Sequence, residues 1–187
     1  CLAARPKGLC VRHQQVARIR KGLSMRVLMI GREAALFEIV VARALARDGA
    51  TVVRGHGTRS RPLRSRYYRE TLEHPPLQSE AFGGFMLGYA RHNGDTIVLP
   101  LTDAALGALQ PIRAELERLM PVAAAPAEAT AIALDKFRTA EFAGRVADSL
   151  SVPPFILAKS DEDAAARWTG PYPGIVKPRA SCGAEGI

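Results

Sequence analysis

Two lysines and a glycine-containing run carry the clearest chemical signal in the chain. Lys177 closes the apolar run Gly174–Pro178, and the segment Arg179–Gly186 follows at once. A lysine on a buried strand is costly without an anionic partner. Small residues and two glycines in the next loop let backbone N–H groups face a phosphate. A cation beside such a loop suits a polyphosphate. An edge-strand lysine followed by a hairpin turn accounts for the same residues without any ligand. Lys136 comes forty-one residues earlier, after Asp135, where a helix should start. Alone it is a solvated helix residue.

Other positions carry weaker signals. Gly31 follows an apolar strand, at the place of a dinucleotide fingerprint, but Gly31–Leu36 keeps only the first glycine of G-x-G-x-x-G. Without the second, a Cβ blocks close approach of a pyrophosphate. No G-x-x-x-x-G-K-[ST] occurs, which excludes a P-loop. Asp103 stands just beyond a strand's carboxyl end, where open α/β sheets take ligands, though the cap preference favours reading it as part of a helix N-terminus. Arg54, Arg59, Arg61, Arg64, Arg66 and Arg69 either face an anionic substrate or form a solvated basic loop. The four histidines share no ligand spacing. Cys182 has no histidine near it in sequence, so it reads as a small loop residue and not as a nucleophile.

Those residues need elements to position them. Arg26–Ile30 reads as a buried parallel strand, Ala34–Asp48 as a helix closed by Gly49, and Thr51–Val53 as a second strand. Arg54–Pro76 reads as a connection. Ser79–Arg91 is a helix weakened by three glycines. Thr96–Leu99 is a strand, and Thr102 caps a helix from Asp103 to Gln110. Pro111 opens the next helix. Pro121–Ala125 is a short strand and the boundary region. Helices follow over Ala127–Leu134 and Lys136–Leu150, broken near Asp135. Phe155–Leu157 and Gly174–Pro178 are strands, with a helix capped by Ser160 between them.

Composition limits the choices. The chain has 187 residues, 48% hydrophobic and 24% charged, which excludes a disordered or collagen-like chain. Three cysteines without close pairing exclude a disulfide scaffold and fit a reducing cytoplasm. Net charge is +8, but residues 1–24 hold six basic residues and no acid. The rest is nearly balanced, with 20 basic against 18 acidic residues, so no nucleic-acid partner is expected. No membrane-spanning run occurs. The first Met is Met25, and residues 1–24 are expected to be a disordered extension or upstream read-through. The chain stops inside the glycine-containing run, so an incomplete protein is expected.

In order, Leu134–Lys136, a helix, Val152–Phe155, a capped helix and Ile175–Pro178 before a glycine-containing loop resemble the ATP-grasp superfamily. Ser65–Tyr68, Leu99–Asp103 and Leu134–Lys136 resemble, within it, the predicted ATP-grasp carboligases related to the carbamoyl phosphate synthase large subunit. The resemblance covers about residues 25–187. It implies an α/β fold: a Rossmann-like pre-ATP-grasp domain over residues 25–121, then a truncated first, small subdomain of an ATP-grasp fold over residues 122–187. It implies that Lys136 and Lys177 hold ATP phosphates. It implies that Ser181, Cys182, Gly183, Ala184 and Gly186 form the flexible loop over them. Cys182 and Glu185 depart from the family's loop, and an acid near phosphate is unhelpful unless it points away. The family's Mg2+ ligands come after this loop, so metal ligands are expected beyond Ile187 and none within the chain.

The resulting expectation is a cytoplasmic, ATP-dependent carboxylate–amine ligase. It forms an acyl phosphate from a small carboxylate and joins it to an amine or similar nucleophile. The residues in hand are expected to be an inactive portion, with Asp103 as a weak substrate contact and a homodimer left open. Two alternatives stand beside it: an NAD-dependent oxidoreductase, from the opening strand–helix–strand unit, and a non-catalytic nucleotide-binding or nucleic-acid-binding protein.

Overall fold

The computed structural model describes residues 25–31, 36–58, 64–146 and 152–180. The expected N-terminal extension 1–24 and the loop Ser181–Gly186 lie outside the described residues. The elements are β1 (Arg26–Ile30), α1 (Leu36–Arg47), β2 (Thr51–Gly57), β3 (Glu70–His74), α2 (Glu80–His92) and β4 (Thr96–Pro100). Then come α3 (Asp103–Leu109), a 3-10 turn (Gln110–Ile112), α4 (Arg113–Leu119), α5 (Ala127–Ala133), α6 (Lys136–Val146) and α7 (Asp161–Arg167).

The protein is α/β, with a four-stranded parallel sheet in the order β3-β2-β1-β4. β1 pairs with β2 from Arg26↔Thr51 to Ile30↔Gly55, and with β4 from Arg26↔Thr96 to Ile30↔Pro100. A parallel sheet is buried on both faces, so its central strand is apolar throughout. Val27, Leu28, Met29 and Ile30 are accordingly all buried. Alternation along β1 sends Leu28 and Ile30 to one core and Val27 and Met29 to another. The larger core is closed by α2, whose Phe82, Met86 and Ala90 repeat every four residues on one helical face. The expected weakness of α2 does not materialise. At Gly83 a Cβ would lie 3.1 Å from Ile112, so at least one of its glycines lets α2 approach its neighbour. The smaller core lies under α1, through Ala42. α1 leaves Leu36, Phe37 and Val40 exposed on its outer face.

Local signals set several boundaries. Gly49 takes φ +90 after α1, a conformation that costs a side-chain-bearing residue, and the Ala50 N–H closes the turn on the Leu45 carbonyl. The Thr102 hydroxyl accepts from the Ala105 N–H at 3.2 Å and starts α3. Ser160 does the same for α7 through Asp163 N–H. The short strand expected at Pro121–Ala125 is a single parallel bridge, Val98↔Val122, on the outer side of β4.

Three expectations need correction. β3 lies inside the stretch read as a connection. It is a polar edge strand, Glu-Thr-Leu-Glu-His, in which only Leu72 and His74 turn inward. The strands expected at Phe155–Leu157 and Gly174–Pro178 are not strands. An apolar run becomes a strand only with a ladder partner, and neither run pairs with any described strand. Ile175 and Val176 are instead 72% exposed.

Candidate functional site

The α/β half and the following segment are tied together by side chains reaching to backbone carbonyls. Buried Arg113 donates from Nη2 to the Ala125 carbonyl at 3.1 Å, and the Thr130 hydroxyl donates to the same oxygen at 3.0 Å. Gln110 reaches the Ala127 carbonyl at 3.0 Å. These contacts fix the start of α5, and α5 packs on α6.

Asp135 starts α6. Its Oδ1 accepts from the Phe137 and Arg138 N–H groups at 3.0 and 3.2 Å, satisfying donors that a helix start leaves open. The same carboxylate is gripped by Arg179 through Nη2 and Nε, with Nε to Oδ2 at 3.1 Å. That guanidinium holds the Asp135 carboxyl below the usual carboxylate range, and Arg179 is pushed up in return. The Lys136 N–H then donates to the Arg179 carbonyl at 3.0 Å. Phe155 closes the other side, edge-on to Phe137 with ring centroids 5.4 Å apart.

The segments carrying the two expected phosphate-binding lysines are thus joined. Lys136 is the first residue of α6, and Lys177 lies two residues before Arg179. The structure also corrects the reason given for Lys177. It is exposed, not on a buried strand, so burial demands no anionic partner for it. Ser181, Cys182, Gly183, Ala184 and Gly186 fall outside the described residues, so their expected place over a phosphate has no structural counterpart here. No three His, Cys, Asp or Glu side chains converge on a metal position among the described residues.

Asp103 is exposed at the first position of α3, just past the carboxyl end of β4. Leu101 N–H bonds the Ile30 carbonyl at 2.8 Å, so this turn lies beside the end of β1. The strand order reverses between β1 and β4, which is where open parallel sheets take ligands. No other candidate residue sits with Asp103 in a described contact.

One polar cluster escaped the sequence. Arg54 does not belong to the basic connection expected from the sequence: it lies in β2 and its side chain is only 1% exposed. It pairs with Glu38 of α1, Nε to Oε2 at 3.0 Å, and the Glu38 side chain is 3% exposed. Burial pushes the Glu38 carboxyl up, and Arg54 opposes that. A Cβ on Gly31 would run into the Glu38 carboxylate. The single glycine after β1 thus makes room for a side chain of its own fold. The signal was available: Val52 and Val53 lead straight into Arg54, which places the arginine on the inward face opposite Met29.

No helix among the described residues is long and apolar enough to cross a membrane. No protein-family model matches this sequence, and no curated protein matches it either.

Proposed function

We propose that the chain belongs to an ATP-dependent carboxylate–amine ligase of ATP-grasp type. In this reading a Rossmann-like domain leads into the first part of an ATP-grasp unit. The observation that carries the reading is the tie between Asp135–Lys136 and Lys177–Arg179. It joins the two segments that carry these lysines, which lie far apart in sequence. Two ammonium groups there offset the charge of a polyphosphate without fixing its shape, which suits a group whose charge is spread over many oxygens.

The chemistry follows from that charge. A carboxylate oxygen attacks the terminal phosphorus of ATP, and ADP leaves with the bridging electron pair. The acyl phosphate is then attacked at carbon by an amine, and phosphate departs. Lys136 and Lys177 hold the phosphates in both steps. Mg2+ would neutralise further charge on them. The turn around Asp103, at the reversal of strand order, is the place for the carboxylate substrate or the amine.

The oxidoreductase reading has the strand–helix–strand unit and the sheet order in its favour. Glu38 argues against it, because a carboxylate packed against Gly31 stands where a pyrophosphate would have to approach. The nucleic-acid reading rests on charge that lies mostly in residues 1–24.

Replacing Lys177 by Ala tests the reading. ATP turnover should fall by at least about a hundredfold if this cation stabilises the transferring phosphoryl group. Turnover equal to the unsubstituted enzyme would overturn it.

A further inference from the structure

Glu38 uses only one edge of the Arg54 guanidinium. Its Oε2 accepts from Nε, while Nη1 and Nη2, each buried, find no hydrogen-bond partner among the described residues. The Tyr68 hydroxyl is also buried without a partner, and the Arg54 guanidinium lies 5.9 Å from the centre of the Tyr68 ring. Burial and the nearby Glu38 charge push the Tyr68 hydroxyl up, while the adjoining Arg54 guanidinium pulls it down; the net rise keeps the hydroxyl protonated. Buried donors are almost always satisfied, and a charged fork left open is the costliest kind of exception. The cluster sits near the carboxyl ends of β1 and β2. Arg54 pairs with Met29, one residue before the last pair of that ladder, and Glu38 reaches Gly31 just beyond it.

We propose that Arg54 and Tyr68 form an oxyanion site, which takes a carboxylate or phosphate group of a small ligand on the open Nη1/Nη2 edge of the guanidinium. Glu38 fixes the arginine through Nε, so the fork is already oriented when the anion arrives. The same carboxylate limits affinity, because its charge opposes the ligand's. Arginine is suited to this task by its planar donor pair. The site does not depend on the ligase reading, since neither Lys136 nor Lys177 takes part.

The test is a titration of the whole chain with sodium acetate and, separately, with inorganic phosphate. Sodium chloride at matched ionic strength is the control. The readouts are the Arg54 side-chain 15N resonance and the melting temperature. The expected result is a saturable shift with at least one of the two anions and none with chloride. Saturation by acetate alone assigns a carboxylate ligand, and saturation by phosphate alone assigns a phosphate group. Tyr68→Phe should weaken the response by about tenfold, the loss of one good hydrogen bond. Glu38→Gln keeps an oxygen for Nε but removes the opposing charge, so it should strengthen binding by about threefold or more. A purely structural cluster predicts the reverse pattern: Tyr68→Phe harmless or stabilising, and no anion response in any form. That pattern, or equal responses to all three salts, would overturn the proposal.

Discussion

Replacing Glu38 by Ala should be among the most damaging single changes in the α/β half. Its side chain is 3% exposed and that of Arg54 is 1% exposed. The substitution leaves a guanidinium buried with no opposing charge. Breaking a buried pair from one side costs about 3–5 kcal/mol. A domain has about 5–15 kcal/mol in total, so the variant should be partly unfolded or close to it. Removing Arg54 instead, as Arg54→Met, should cost less. The stranded carboxyl is already pushed up by burial and can take a proton. The double replacement Glu38→Leu with Arg54→Met should recover most of the loss, because an apolar pair carries no desolvation penalty. The assay is urea unfolding of all four proteins, followed by circular dichroism, in buffer free of phosphate and carboxylates. The midpoint should fall with little change in slope. A loss below about 1 kcal/mol for Glu38→Ala would contradict a buried ion pair here, since no buried charge could then have been left unopposed.

Three further outcomes follow from the same geometry. His74 is buried on β3, its Nδ1–H donates to the Pro75 carbonyl at 2.7 Å, and burial holds its imidazole below the usual value. The unfolded chain therefore binds more protons, so stability is full above about pH 6.5 and falls as pH drops toward the lowered folded value; in His74→Gln, urea midpoints should lose that part of their pH dependence. Gly49→Ala should cost about 1 kcal/mol, because φ +90 suits glycine alone, while Gly57→Ala, with open space around it, should be far milder in the same urea assay. Thr102→Ala should cost about 1 kcal/mol through the lost helix cap, and Thr102→Ser should restore most of it.

Much of the sheet was legible because parallel strands announce themselves as short apolar runs. β1, the core of β2 and β4 are such runs, and Gly49, Thr102 and Ser160 mark helix ends by local chemistry that needs no tertiary context. β3 was not legible, because an edge strand with one apolar residue and one buried histidine looks like loop. Arg54 was misplaced for a related reason: a charged residue reads as solvated unless its partner is known, and Glu38 lies sixteen residues away on a helix. The runs at Phe155–Leu157 and Ile175–Val176 failed in the opposite sense. Their composition favours strands, but a strand exists only where another strand completes its hydrogen bonds. Of the candidate site, the order of Asp135, Lys136 and Lys177 was readable. The Arg179 grip on Asp135 that joins them was not, because nothing in the spacing links two charges so far apart.

Whether the two lysine segments hold ATP is read most directly by amide hydrogen exchange on this chain with millimolar ATP, and in parallel with NADH. ATP should slow exchange at residues 135–139 and 177–180, the change should saturate, and Lys136→Ala or Lys177→Ala should weaken it. Slowed exchange with NADH around Gly31 and the first turn of α1, with no effect of ATP on the two lysine segments, would contradict it.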